Sequence, residues 1–102
     1  MAKLKNISGK KAGYIKMHLT SKQGSVISSF DRLVEVFGQP EYIKEENRDK
    51  SQVEWIIEKD GIVATIYDYY QLDSDLNEIQ QWNVGGHNYK ASVLVDNLIE
   101  RT

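Results

Sequence analysis

Gly85-Gly86-His87-Asn88 is the constellation with the most chemistry in this 102-residue chain. It precedes a helix-like run, and two glycines allow successive backbone N–H groups to turn toward one point. The helix start adds partial positive charge and His87 supplies a further donor, so an anion such as a phosphate fits there. The Lys and Ser/Thr of a P-loop are absent from the required places. A strand-to-helix turn needing positive φ accounts for both glycines without a ligand and is the simpler account.

Aromatic residues are the second source of chemistry. Trp55, Tyr67, Tyr69 and Trp82 fall on three neighbouring strand-like runs. If Val63, Thr65, Tyr67 and Tyr69 face the helices they are core, and Ala64, Ile66 and Asp68 face outward. In the opposite register the tyrosines form an exposed platform, and period-two alternation alone does not choose. An exposed platform stacks a base or meets a protein; core is the preferred assignment for both tryptophans.

Catalysis and metal binding find less support. The histidines are His18 and His87, cysteine is absent, and no nucleophile elbow or triad pattern accompanies the serines and acids. The expectation is a non-enzymatic protein; the alternative is a small hydrolase of a phosphorylated substrate with His87 as acid/base. Asp73, Asp75 and Asn77 resemble the opening of a calcium loop, but Glu78 stands where its glycine belongs and Val84 where its distal Glu belongs. A solvated acidic loop is the better reading, and neither metal nor cofactor is expected.

Charge is unevenly spread. The first 22 residues carry six lysines and no acid, while the rest carry seven basic and fifteen acidic side chains, a net of −8. The Lys-rich start offers nucleic acid a basic field, but no nucleic-acid-binding signature accompanies it, and a solvated arm is preferred. An acidic set of Glu41, Glu45, Glu46, Asp49, Asp73 and Asp75 offers a basic protein partner a docking face.

These residues must be held by a single domain, since a chain of this length has room for one core. Its 40% apolar and 27% charged residues are those of a soluble globular protein. No run approaches the roughly 18 apolar residues of a membrane span, and no signal peptide is visible, so the expected location is cytoplasmic.

The elements follow from periodicity. Residues 1–13 read as a flexible Lys-rich arm or an edge segment, and residues 14–102 as one α+β domain. Tyr14 to Thr20 alternates like a half-buried strand, an edge that invites pairing into a homodimer, and residues 21–24 then turn. Val26, Ile27, Phe30, Leu33, Val34 and Phe37 recur at helical spacing, with Ser25, Ser28 or Ser29 as cap and Gly38 and Pro40 as stop. Residues 41–51 read as a surface loop with a short strand near Tyr42. Gln52–Lys59 and Ile62–Tyr70 form strands joined by Asp60-Gly61, a hairpin turn signal. Residues 79–84 form a short strand, and Asn88 caps a last helix with Ala91, Leu94, Val95, Leu98 and Ile99 on its apolar face. The fold expected is α+β: a small antiparallel sheet of about four strands with a central meander, packed against two amphipathic helices.

With the elements placed, Phe37-Gly38-x-Pro40, Glu54-Trp55, Ala64-Thr-Ile-Tyr67-Asp68 and Trp82-x-Val84-Gly85-Gly86 together resemble a family of small accessory proteins recurring in tailed-phage genomes. The resemblance spans roughly residues 14 to 100 and carries over no catalytic residue. It implies a phage accessory protein, in the cytoplasm of an infected bacterial host. Small proteins of that sort often counter a host defence system, by sequestering a nucleotide signal or by blocking a nuclease such as a CRISPR effector. The first mechanism places a nucleotide-like ligand on Gly85, Gly86, His87 and Asn88 with Tyr69 or Trp82 stacking; the second uses the acidic set.

Overall fold

The computed structural model describes residues 4–8, 20–42, 52–68 and 75–101, with backbone alone at 41–42. Its organising unit is the hairpin of β4 (Val53–Lys59) and β5 (Ile62–Tyr67). Lys59 pairs with Ile62, leaving Asp60 and Gly61 as a two-residue loop at φ 54° and 80°. Both values lie in the left-handed region, which Asp and Gly tolerate and which matches the twist of the flanking strands. The turn expected from Asp-Gly is thus present.

β6 (Gln81–Gly86) lies against β5, and β2 (Ser21–Ile27) against β6; all pairs are antiparallel. On the other side of the hairpin, β4 receives two short pieces, β1 (Lys5–Asn6) and β3 (Glu41–Tyr42). The sheet runs β1-β4-β5-β6-β2 with β3 also on β4, so the fold is α+β, with four long strands and two short ones among the described residues.

Among the described residues, two helices cover one face: α1 (Phe30–Phe37) and α2 (Lys90–Arg101). Ser29 caps α1 through its hydroxyl, which accepts from the Arg32 N–H at 3.1 Å, and Gly38 ends it at φ 89°. Leu33 and Phe37 from α1 and Ala91 and Val95 from α2 share a core with Val53, Trp55, Ile57, Ala64, Ile66, Trp82 and Val84. Phe30, Trp55 and Trp82 meet ring to ring, the indoles edge-on at 5.5 Å between centroids. Such a geometry suits the ring quadrupoles.

Several expectations need correction. Residues 21–27 form a strand, not a turn followed by the start of a helix; α1 begins only at Phe30. Of the two readings of the Lys-rich start, residues 4–8 take that of an edge segment of the sheet: Asn6 pairs with Ile57, and the Ile7 N–H donates to the Ile56 carbonyl at 2.8 Å. The strand expected at Tyr14 to Thr20, and the homodimer edge with it, lies outside the described residues except for Thr20, which is not in a strand. Among the described residues one edge is β2, which carries the exposed Lys22 and a register irregularity between Lys22 and Gly24, two features that hinder edge-to-edge pairing.

The choice of sheet face also resolves differently from either alternative. Ala64 and Ile66 face the helices, so Val63, Thr65 and Tyr67 face away from them. That second face is nevertheless no platform, because Ile56, Val63 and Thr65 are buried and Tyr67 is half-buried. Asp68, which the first of those alternatives turns outward, is wholly buried; its Oδ1 accepts from the N–H groups of Gln52 and Val53 at 2.8 and 3.1 Å.

Candidate functional site at the hairpin tip and the start of the second helix

The position of α2 is set by small residues. A Cβ on Gly86 would sit 2.2 Å from Ala91 Cβ, and one on Gly24 would sit 2.6 Å from Ser92 Oγ. Neighbouring strands β6 and β2 therefore seat the first turn of the helix at a distance only glycine permits. This close seat brings the helix start beside the β4–β5 turn.

Between them opens a polar cleft of about 260 Å³, lined by Asp60, Gly61, Ile62, His87, Asn88 and Lys90 among others. His87, Asn88 and Lys90 are exposed. Beside it lies a more apolar cleft of about 320 Å³, formed by Ile62, Tyr89, Lys90, Val93, Leu94 and Asn97. Ile62 and Lys90 belong to both, so the two clefts adjoin at one corner of the molecule. Tyr89 is 67% and Val93 48% exposed. The Lys90 ammonium makes no ion pair among the described residues.

The backbone anion nest expected at Gly85-Gly86-His87-Asn88 is corrected. Both glycines belong to β6, where Gly85 pairs with Thr65 and Lys22, and Gly86 with Ala64 and Ser21. Neither has positive φ. Their shared reason is close approach, since a Cβ on Gly85 would meet Thr65 Oγ1 at 2.6 Å. At the helix start, Asn88 caps as expected: its Oδ1 accepts from the Lys90 N–H at 2.9 Å. The Ala91 N–H goes to the Asn88 carbonyl, and those of Ser92 and Val93 to Tyr89. The first-turn donors are thus already engaged, and what faces the cleft is side-chain chemistry.

Trp82, expected to stack a ligand, cannot reach one. It is fully buried between Phe30 and Trp55, and its indole N–H donates to the Ser28 carbonyl at 2.9 Å. Tyr69 and His18 lie outside the described residues, as do Glu45, Glu46, Asp49, Asp73 and the side chain of Glu41. Of the acidic set Asp75 is described: it is exposed, and its Oδ1 accepts from the Asn77 N–H at 3.0 Å, capping a single turn of 3₁₀ helix. Among the described residues no three His, Asp or Glu side chains are placed to hold a metal ion. None of the described helices is long and apolar enough to cross a membrane.

The structure therefore joins His87 and Asn88 with residues the sequence reading passed over: Asp60, Tyr89, Lys90 and Val93. A helical wheel carries the missing signal, because Tyr89 and Val93 fall opposite the apolar face of Ala91, Val95 and Leu98. Compared with family models, curated protein sequences and solved structures, the chain finds no match. The motifs that carry the phage resemblance all serve the fold. Phe37 and Pro40 are buried around the helix stop, Glu54 and Trp55 are buried in β4, Ala64 to Ile66 in β5, Trp82 and Val84 are core, Gly85 lets β6 approach Thr65, and Gly86 seats α2.

Proposed function

We propose that this chain is a non-enzymatic binding protein that holds a small phosphate-bearing ligand at the corner between the β4–β5 turn and α2. The observation carrying this reading is the polar cleft of about 260 Å³ on which His87, Asn88, Lys90 and Asp60 converge. Lys90 supplies a full positive charge for the phosphate and His87 a ring N–H. Asp60, on the opposite lip, repels a bare anion but accepts hydrogen bonds from hydroxyl groups, so a sugar phosphate suits the cleft better than inorganic phosphate. In the phage setting that the sequence pattern resembles, such a protein acts against a host defence system by withdrawing a signal molecule.

Calorimetric titration and thermal unfolding of the full chain with ribose 5-phosphate test the reading. A ligand present at a hundred times its Kd adds about 2.7 kcal/mol to folding stability, which for a domain of this length raises Tm by roughly 10 °C or more. Lys90→Ala should remove the shift without lowering the Tm of the ligand-free protein. No heat of binding and no shift in the wild type would refute it.

A further inference from the structure

Resting on that reading, we infer that the apolar cleft on α2 is a base-binding subsite: Tyr89 and Val93 receive the planar ring of a nucleotide whose phosphate lies at His87 and Lys90.

Three observations carry this. The apolar cleft adjoins the polar one, with Ile62 and Lys90 lining both, so one molecule laid across these two shared residues reaches into each. Their volumes, about 260 and 320 Å³, together reach the range of roughly 300–1,000 Å³ typical of sites for small organic ligands. Finally, the lining changes character along the line joining them: carboxylate, imidazole and ammonium at one end, then a phenol ring, Val93 and Leu94, with the Asn97 amide beside them.

A nucleoside phosphate has the same order of chemistry. Its phosphate answers Lys90 and His87, its ribose hydroxyls answer the Asp60 carboxylate, and its base offers a π-face to Tyr89. The Asn97 amide carries both a donor and an acceptor, which suits the polar edge of a base. Tyr89 is 67% exposed without a ligand, although the same helix buries Ala91 and Val95 almost completely. A flat protein partner needs neither the concavity nor the polar end. The tyrosine is the stacking residue in this assignment, in place of Trp82.

The test compares the four common nucleoside 5′-monophosphates with ribose 5-phosphate, by calorimetry on the wild type, Tyr89→Ala and Tyr89→Phe. At least one nucleotide should bind the wild type about tenfold or more tighter than ribose 5-phosphate, the scale of one base–aromatic stack. Tyr89→Ala should erase that difference and leave ribose 5-phosphate binding unchanged, and Tyr89→Phe should keep it. If ribose 5-phosphate binds but no nucleotide binds tighter, the base subsite is wrong and the phosphate cleft stands. Should neither class bind, both readings fall. Self-association in sedimentation that Tyr89→Ala abolishes, with no nucleotide bound, would also overturn the subsite, giving the face to a second copy of the chain.

Discussion

Trp82 and Tyr89 stand seven residues apart, on either side of Gly86, which seats α2, and have opposite surroundings. The tryptophan is wholly enclosed, while the tyrosine is 67% exposed. Trp82 belongs to a closed system. Its indole N–H holds the Ser28 carbonyl just before α1, and that of Trp55 holds the Gly38 carbonyl just after it, at 2.9 and 2.8 Å. Both ends of a short helix are thereby fastened to the sheet by the rings that fill its core. Tyr89 instead follows the helix cap, on the far side of α2 from the core, beside two clefts. One region has its polar groups answered internally; the other leaves charged and aromatic groups facing solvent. The contrast separates what maintains the fold from what is available to a ligand.

The largest effect that would test this separation is expected at the closed end. Trp55→Ala should destabilise by about 3–5 kcal/mol, through lost burial and the cavity left behind. Trp55→Phe keeps a ring but strands the Gly38 carbonyl, and should cost about 1–3 kcal/mol. Urea unfolding followed by fluorescence of the remaining Trp82 measures both. No loss in Trp55→Phe would show that the ring, not the hydrogen bond, fastens the helix end, and equal losses in the two variants would show the reverse.

Next in size is Asn6. Its side-chain amide donates to the Phe37 and Gln39 carbonyls at 2.7 and 2.8 Å, while its Oδ1 accepts from the Ser8 N–H. One residue of the N-terminal edge strand thus completes the helix stop that Trp55 also holds. Asn6→Ala should lower stability by about 1–3 kcal/mol by leaving the partly buried Phe37 carbonyl unmet. Asn6→Asp cannot donate and should be at least as damaging in urea denaturation. A neutral result would mean the N-terminal strand is dispensable.

The smallest effect belongs to the open end. Tyr89→Ala should change stability by no more than about 0.5 kcal/mol, as expected of a surface position outside the core. A loss comparable with that of Trp55→Ala would erase the distinction between the two regions.

How much of this was legible in the sequence depends on the range of the interaction behind each feature. Asp60-Gly61, the Gly38 stop and the Asn88 cap are local devices and stand where their residue types place them. Ser21–Ile27 was misread because Val26 and Ile27 extend the helical spacing of Phe30 and Leu33. The break between them is made by partners distant in sequence: the Ser28 N–H continues the ladder to the Gln80 carbonyl before Ser29 caps the helix. Gly85 and Gly86 look like turn glycines from their own neighbours, and only the approach of Thr65 and Ala91 reveals their role. For the candidate site the same rule held. His87 and Asn88 were picked out, whereas Asp60 and Lys90 joined them only once the hairpin met the helix start. Tyr89 stands outside the strand-like runs whose aromatics suggest a stacking surface, and of those aromatics Trp55 and Trp82 are core.

The most direct test of the central claim is a ¹⁵N–¹H correlation spectrum of the full chain titrated with ribose 5-phosphate. The account predicts saturable shifts confined to the amides of Asp60 to Ile62 and of His87 to Lys90, with Asn6, Trp55 and Trp82 unmoved. Saturable shifts centred on the N-terminal strand or the ends of α1, or no shifts at all, would contradict it.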